Sequence, residues 1–295
     1  MAFDWGQLDR ILLPLRGFPA EIHAINFALY LSEATGAKLQ VLHVEKTVLQ
    51  SKEYDVNALL QKLEERASKI GVKFDFLAVK SDSARTALLS HLKDNTYDLI
   101  VMGTQSSQGF PYDLHKSVSV AIANNLPPKT AALVVVQGDH SDWEFKERDF
   151  NRIMVGYRPS IDNSISIKLA SLLTSSATKA DNDIYVARMV KIPKITPLES
   201  VKDILMEVES EFLHSLSEYL VTIQKPLVPK IVVGHSYGKA IAYLARKEEV
   251  DLLLLGVVEN FSLAGFKNTP IWRIAKAGAC PVAYVFTKLH SKEED

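Results

Sequence analysis

Asp98-Leu-Ile-Val-Met-Gly103 and Asp251-Leu-Leu-Leu-Leu-Gly256 decide how this chain folds. Each sets an acidic residue before an apolar run and closes on glycine, the pattern of a strand covered on both faces. Asp251 follows Asp98 by 153 positions. A second pair recurs at nearly the same distance. Arg10-Ile-Leu-Leu-Pro-Leu-Arg16 and Arg152-Ile-Met-Val-Gly-Tyr-Arg158 lie 142 positions apart, and arginine bounds both. A repeat of that length makes the chain two copies of one unit.

Between these anchors, helix and strand patterns alternate in the same order in both halves. Residues 20–35 carry Ile22, Ile25, Leu29 and Leu31 near one helical face, and Gly36 marks the stop. Residues 39–44 read as a strand. Leu59, Leu60, Leu63 and Ala67 then make 56–70 an amphipathic helix ended by Gly71. A strand at 72–79, a helix at 84–92 and a strand at 131–136 complete the half. The second half repeats the series with a helix from about Asp162 and a strand at 184–190. A long helix follows through Val201, Leu205, Phe212 and Leu216, then a strand at 231–233, a helix at 239–246 and a strand at 281–286. Such alternation predicts parallel sheets with helices on both faces. The expected domains are 1–140 and 148–290, joined by the polar stretch Gln137–Asp149.

The 295 residues, 47% hydrophobic and 23% charged, fit an ordinary globular protein of about two domains. A formal net charge of −1 argues against general nucleic-acid binding, and no basic patch is interleaved with aromatics. Cys280 stands alone, which excludes an internal disulfide framework and suits a reducing, cytoplasmic setting. No apolar run is long enough to anchor the chain in a bilayer, and the N-terminus lacks a signal-peptide core. The eight histidines form no metal-binding pattern.

Together these stretches resemble the universal stress protein family. Ile11-Leu-Leu-Pro-Leu-Arg-Gly17, Val41-Leu-His-Val44 and Asp98–Gly103 match its motifs in the first half, and Asp251–Gly256 and Cys280-Pro-Val282 in the second. The resemblance implies an α/β fold of two doubly wound parallel-sheet domains, adenine-nucleotide alpha-hydrolase-like and Rossmann-related, in a pseudo-twofold tandem. It implies a non-enzymatic binding or regulatory module in stress response. It also implies ATP or AMP held at the carboxyl ends of the strands, where open α/β sheets place ligands. Carried over position by position, the contacts to a nucleotide or another anion are Pro14, Leu15, Arg16, Val44, Met102, Gly103, Ser106, Lys116, Ser117 and Val118. Arg158 and Gly256 are their second-half counterparts. The closing strands 133–136 and 282–286 are expected to pair within the chain as a pseudo-dimer, with further homodimerisation open.

The family's phosphate loop, G-x2-G-x9-G-[ST], is altered here. After Gly103 its later glycine positions hold Ser106 and Lys116, the latter followed by Ser117. After Gly256 a carboxylate, Glu259, replaces the second glycine, and Asn268-Thr269 falls one residue short of the end. Arginine replaces the nucleoside-binding aspartate twice, as Arg16 and Arg158. A guanidinium suits a carboxylate or phosphate better than ribose hydroxyls. Each crevice is therefore expected to be closed by an arginine ion pair or retuned to an anion.

A competing motif is Gly234-His-Ser-Tyr-Gly238, which fits the G-x-S-x-G nucleophile elbow of serine hydrolases and makes Ser236 the candidate nucleophile. Its partners are wanting: His290 is the sole histidine after Ser236, and no glycine-rich oxyanion segment precedes it. The matching first-half segment, Val79–Ala84, lacks the motif at the same strand-to-helix turn, where a small polar residue serves as helix cap. His43 and Cys280 read as packing residues.

Overall fold

The computed structural model describes residues 7–16, 21–45, 56–104, 118–123, 125–136, 150–175, 183–193, 198–221, 223, 225–258 and 280–287. The first half supplies β1 (Arg10–Leu15), α1 (Glu21–Thr35), β2 (Lys38–Glu45), α2 (Val56–Ile70), β3 (Phe74–Lys80), α3 (Ala84–Asp94), β4 (Leu99–Thr104), α4 (Val118–Ala123) and β5 (Ala131–Val136). The second supplies β6 (Arg152–Tyr157), α5 (Ser164–Ser175), β7 (Asp183–Lys191), α6 (Leu198–Leu220), β8 (Leu227–Gly234), α7 (Tyr237–Lys247), β9 (Leu252–Val258) and β10 (Val282–Thr287). Instead of two sheets, the ten strands form one, ordered β3-β2-β1-β4-β5-β10-β9-β6-β7-β8.

Pairing is parallel within each half and antiparallel only where β5 meets β10. Val282 lies opposite Val136 and Thr287 opposite Ala131, so the joint reads the same from either strand. The intrachain pairing expected from the closing strands is therefore present. Its cause is plain: Ala-Ala-Leu-Val-Val-Val and Val-Ala-Tyr-Val-Phe-Thr would otherwise be apolar edges with unpaired N–H and C=O groups.

Alternation along the strands sends side chains into two cores. Ile11, Leu13 and Leu15 face a core closed by α1, α2, α5 and α6. Leu12, Ile100, Met102 and Leu253 face one closed by α3, α4 and α7. Phe150, just before β6, stacks on Phe27 of α1 at 5.2 Å and meets Tyr30 edge-on at 6.0 Å, tying the start of the second half to the first. Gly36 and Gly71 stop their helices as expected, with φ of 71° and 73°.

Two elements differ from expectation. β8 begins at Leu227 and includes Pro229, which a sheet edge tolerates because the missing N–H faces no neighbouring strand. α4, only six residues long, carries no periodic signal. The stretch Gln137–Asp149 lies outside the described residues.

Candidate functional site

In each half the chain leaves the first strand on one side and later returns to pair on its other side, β1 with β4 and β6 with β9. Such reversals open a crevice at the carboxyl ends of the strands. The other end is pinned shut. One Asp98 carboxylate oxygen accepts the backbone N–H groups of Asp9 and Arg10, both at 2.9 Å. One Asp251 oxygen likewise accepts those of Asn151 and Arg152, at 3.0 and 2.8 Å. The acidic residue heading each diagnostic stretch is thus a structural clamp remote from the crevice.

In the first crevice, Pro14, Val44 and Met102 share the α3–α4 side of the sheet. Pro14 is half-buried, Val44 packs on the core there and Met102 belongs to it. Leu15 points the opposite way into the α1 core, and its carbonyl accepts the His43 Nδ1–H at 2.9 Å. His43 is thereby a satisfied strand residue. The Gly103 carbonyl accepts the Ser119 hydroxyl at 3.2 Å, which fixes the start of α4 beside half-buried Val118. Ser119 escaped the sequence reading because nothing in its spacing marks it. Ser106, Lys116 and Ser117 lie outside the described residues, as do Glu259, Asn268, Thr269 and His290.

The twin arginines sit at matching turns, and the residue five positions on closes each turn. The Arg16 N–H donates to both oxygens of buried Glu21, at 2.9 and 3.1 Å. The Arg158 N–H donates to Asn163 Oδ1 at 3.3 Å, while Asn163 Nδ2 donates to the carbonyls of Arg158 and Ile161, both at 2.9 Å. Glu21 and Asn163 share the arginines' offset of 142, a signal the sequence held and the motif comparison passed over. The Arg16 side chain is exposed. Arg158 is half-buried and makes no ion pair among the described residues. Above Gly256, a Cβ would lie 2.7 Å from Ile161 Cδ1 and 3.6 Å from Ser166 Oγ, so side chains of the chain itself crowd that position.

The nucleophile-elbow reading is corrected by geometry. Ser236 has extended backbone, φ −141° and ψ 118°, at the N-cap of α7, without the strain that aims an elbow serine outward. Neighbouring His235 engages the Ile192 carbonyl through Nδ1 at 2.9 Å. The matching first-half turn is a working cap, with Ser83 Oγ accepting the Thr86 N–H at 3.2 Å. Burial, followed by the nearby Asp251 carboxylate, pushes the Cys280 thiol up to about 12, so it is no nucleophile at neutral pH. Among the described residues no cluster of His, Cys, Asp and Glu could hold a metal ion, and no helix is long and apolar enough to cross a membrane. A groove beside α3, lined by Arg85, Thr86, Leu89, Ser90, Lys93 and Asn125, shares no residue with the candidate set.

No curated protein matches the chain by sequence. Among solved structures, a universal stress protein from Archaeoglobus fulgidus DSM 4304 is 14% identical, with a TM-score of 0.58 over 94% of this chain and 96% of that one. A putative universal stress protein from Pseudomonas aeruginosa UCBPP-PA14 is 16% identical, with a TM-score of 0.57 over 95% and 93%. The cytoplasmic domain of a prokaryotic cation chloride cotransporter is 12% identical, with a TM-score of 0.59 over 95% of both chains. At these identities the likeness is one of fold. The sequence model of the Universal stress protein family matches residues 7–131. The first half of the chain therefore carries a universal stress protein domain, set in a fold that runs the length of the molecule.

Proposed function

We propose that the chain is a tandem of two universal stress domains, 1–140 and 148–290, serving as a binding and regulatory module in stress response rather than as an enzyme. The observation that carries this reading is the family match over residues 7–131, laid on a strand order that the second half repeats around the β5–β10 joint. Half-buried Pro14 and Val44, on one face of the sheet above the core residue Met102 and with exposed Arg16 beside them, form a surface suited to a flat apolar ring next to an anion. An adenine nucleotide, ATP or AMP, has that chemistry. Arginine in place of aspartate moves the preference from ribose hydroxyls toward phosphate. A single cysteine, half-buried, and the lack of a membrane-crossing helix among the described residues fit a cytoplasmic setting.

Calorimetric titration of the purified chain with ATP and with AMP tests the proposal. Binding that weakens at least about tenfold in Arg16→Ala supports it, since a charge-assisted hydrogen bond to phosphate is worth about 1.5–3 kcal/mol. No heat and no thermal shift with either nucleotide would leave the module without its ligand.

A further inference from the structure

The repeat lets each half serve as a control for the other, and the crevices differ at one matched place. Leu12 pairs with Ile100 and Ile153 with Leu252. Further along, Gly156 pairs with Leu255, and the offsets of 142 and 153 make Pro14 and Met102 their first-half counterparts. In the first half, the position matching Tyr237 at the offset of 153 is Ala84, whose side chain ends at Cβ. Over Gly156 and Leu255 stands the Tyr237 ring. A Cβ at Gly156 would lie 2.8 Å from Tyr237 Oη and 2.5 Å from Leu255 Cδ2, distances that real Cβ atoms do not show. Glycine at 156 is what lets the phenol reach that spot.

The ring belongs there by packing. Tyr237 rests on the α3–α4–α7 core, and its hydroxyl is shut from solvent without a hydrogen-bond partner among the described residues. From the opposite side of the sheet, Ile161 covers Gly256, where a Cβ would meet its Cδ1 at 2.7 Å. The Tyr237 phenol thus stands over Gly156 and the Ile161 tip over Gly256, one on each face of the sheet toward the carboxyl ends of β6 and β9.

We infer that the second crevice is occupied by the chain's own Tyr237 and Ile161, so that ligand binding is confined to the first half at one per chain. The stoichiometry rests on the nucleotide reading above; the plug does not. An aromatic ring held covalently in place occupies its site at an effective concentration a free ligand rarely matches.

Two arms test this on the full chain. In the first, phenol is added to Tyr237→Ala, which leaves a ring-shaped hole lined by Gly156 and Leu255. Phenol at millimolar concentration is expected to raise the melting temperature of that variant by several degrees and leave wild type unmoved. Absence of rescue, or equal rescue of wild type, would overturn the plug. Should Tyr237→Ala fail to fold even with phenol, the contact is read by a double-mutant cycle. Gly156→Ala is expected to lower the melting temperature, and adding Tyr237→Phe to recover part of the loss, because Phe lacks the Oη that meets the new Cβ. Strict additivity overturns the contact. Tyr237→Phe alone is expected to melt at or above wild type, since its hydroxyl has no partner to lose; a lower melting temperature would mean the hydroxyl is engaged and count against a mere plug. In the second arm, titration with ATP or AMP is expected to saturate at one per chain. Two per chain overturns the inference. No binding at all sinks the nucleotide reading while the phenol arm still decides the plug.

Discussion

Asp98 and Asp251 show how much one side chain contributes at the scale of residues. Each carboxylate holds two backbone N–H groups that no strand neighbour can reach, at the start of the strand crossing the middle of its half. Asp98→Ala or Asp251→Ala strands both donors, and each is expected to cost about 2 kcal/mol, read as a lower urea midpoint at unchanged slope. His23 makes stability depend on pH. Only 3% exposed, it is pushed by burial, and secondarily by the Arg66 charge, from 6.5 down to about 4. The native state holds it neutral while the unfolded chain takes up a proton, so stability is full above about 6.5 and falls as pH drops toward about 4. The slope is expected to reach at most about 1.4 kcal/mol per pH unit and to flatten in His23→Gln, as measured by denaturation across that window. The twin arginines show the limit of motif logic. Their side chains attracted notice, and the feature the two turns share is a bond to the arginine backbone, made by Glu21 and Asn163.

The elements form where periodicity and stop signals agree. After α2, Gly71 takes a φ of 73° and the Val72 N–H bonds back to the Ala67 carbonyl at 3.0 Å, a left-handed helix stop. A Cβ on Gly71 would meet nothing within 4 Å, so Gly71→Ala carries only the backbone penalty. The expected loss is about 1–2 kcal/mol, visible in thermal melts and without effect on ligand binding. Gly-His-Ser-Tyr-Gly illustrates the opposite case, a local pattern whose meaning comes from its neighbours. The same strand-to-helix turn is capped by Ser83 in one half, while in the other it presents Tyr237 to a glycine on a different strand. Edge strand β8 and short α4 were only partly legible, because one is relieved of the pairing rules and the other is too brief to show a period.

At the scale of the molecule, the β5–β10 joint and the Phe150 contact tie the two halves of the chain together. Phe150 is 4% exposed, and its ring is the aromatic bridge from the start of β6 to α1. Phe150→Ala is expected to cost about 3–5 kcal/mol, the range for large-to-small changes in a core, in a single cooperative unfolding transition. Two separate transitions in the variant, followed by calorimetry, would mean that the ring couples the halves rather than merely adding to their stability. A fragment ending after β5 bares the edge Ala131–Val136 that β10 covers, and is expected to sediment as a dimer or larger species.

The sequence by itself determined the α/β class, the helix stops and most of the strands, because these follow from periodicity, burial and backbone conformation within short windows. It also held the offset that pairs Glu21 with Asn163, though motif matching did not read it. Only the tertiary structure decided that ten strands share one sheet, that the diagnostic aspartates are clamps and that Tyr237 lies over Gly156. Those contacts join residues 81 to 156 positions apart, and no local pattern records which distant atom will fill a glycine's missing side chain.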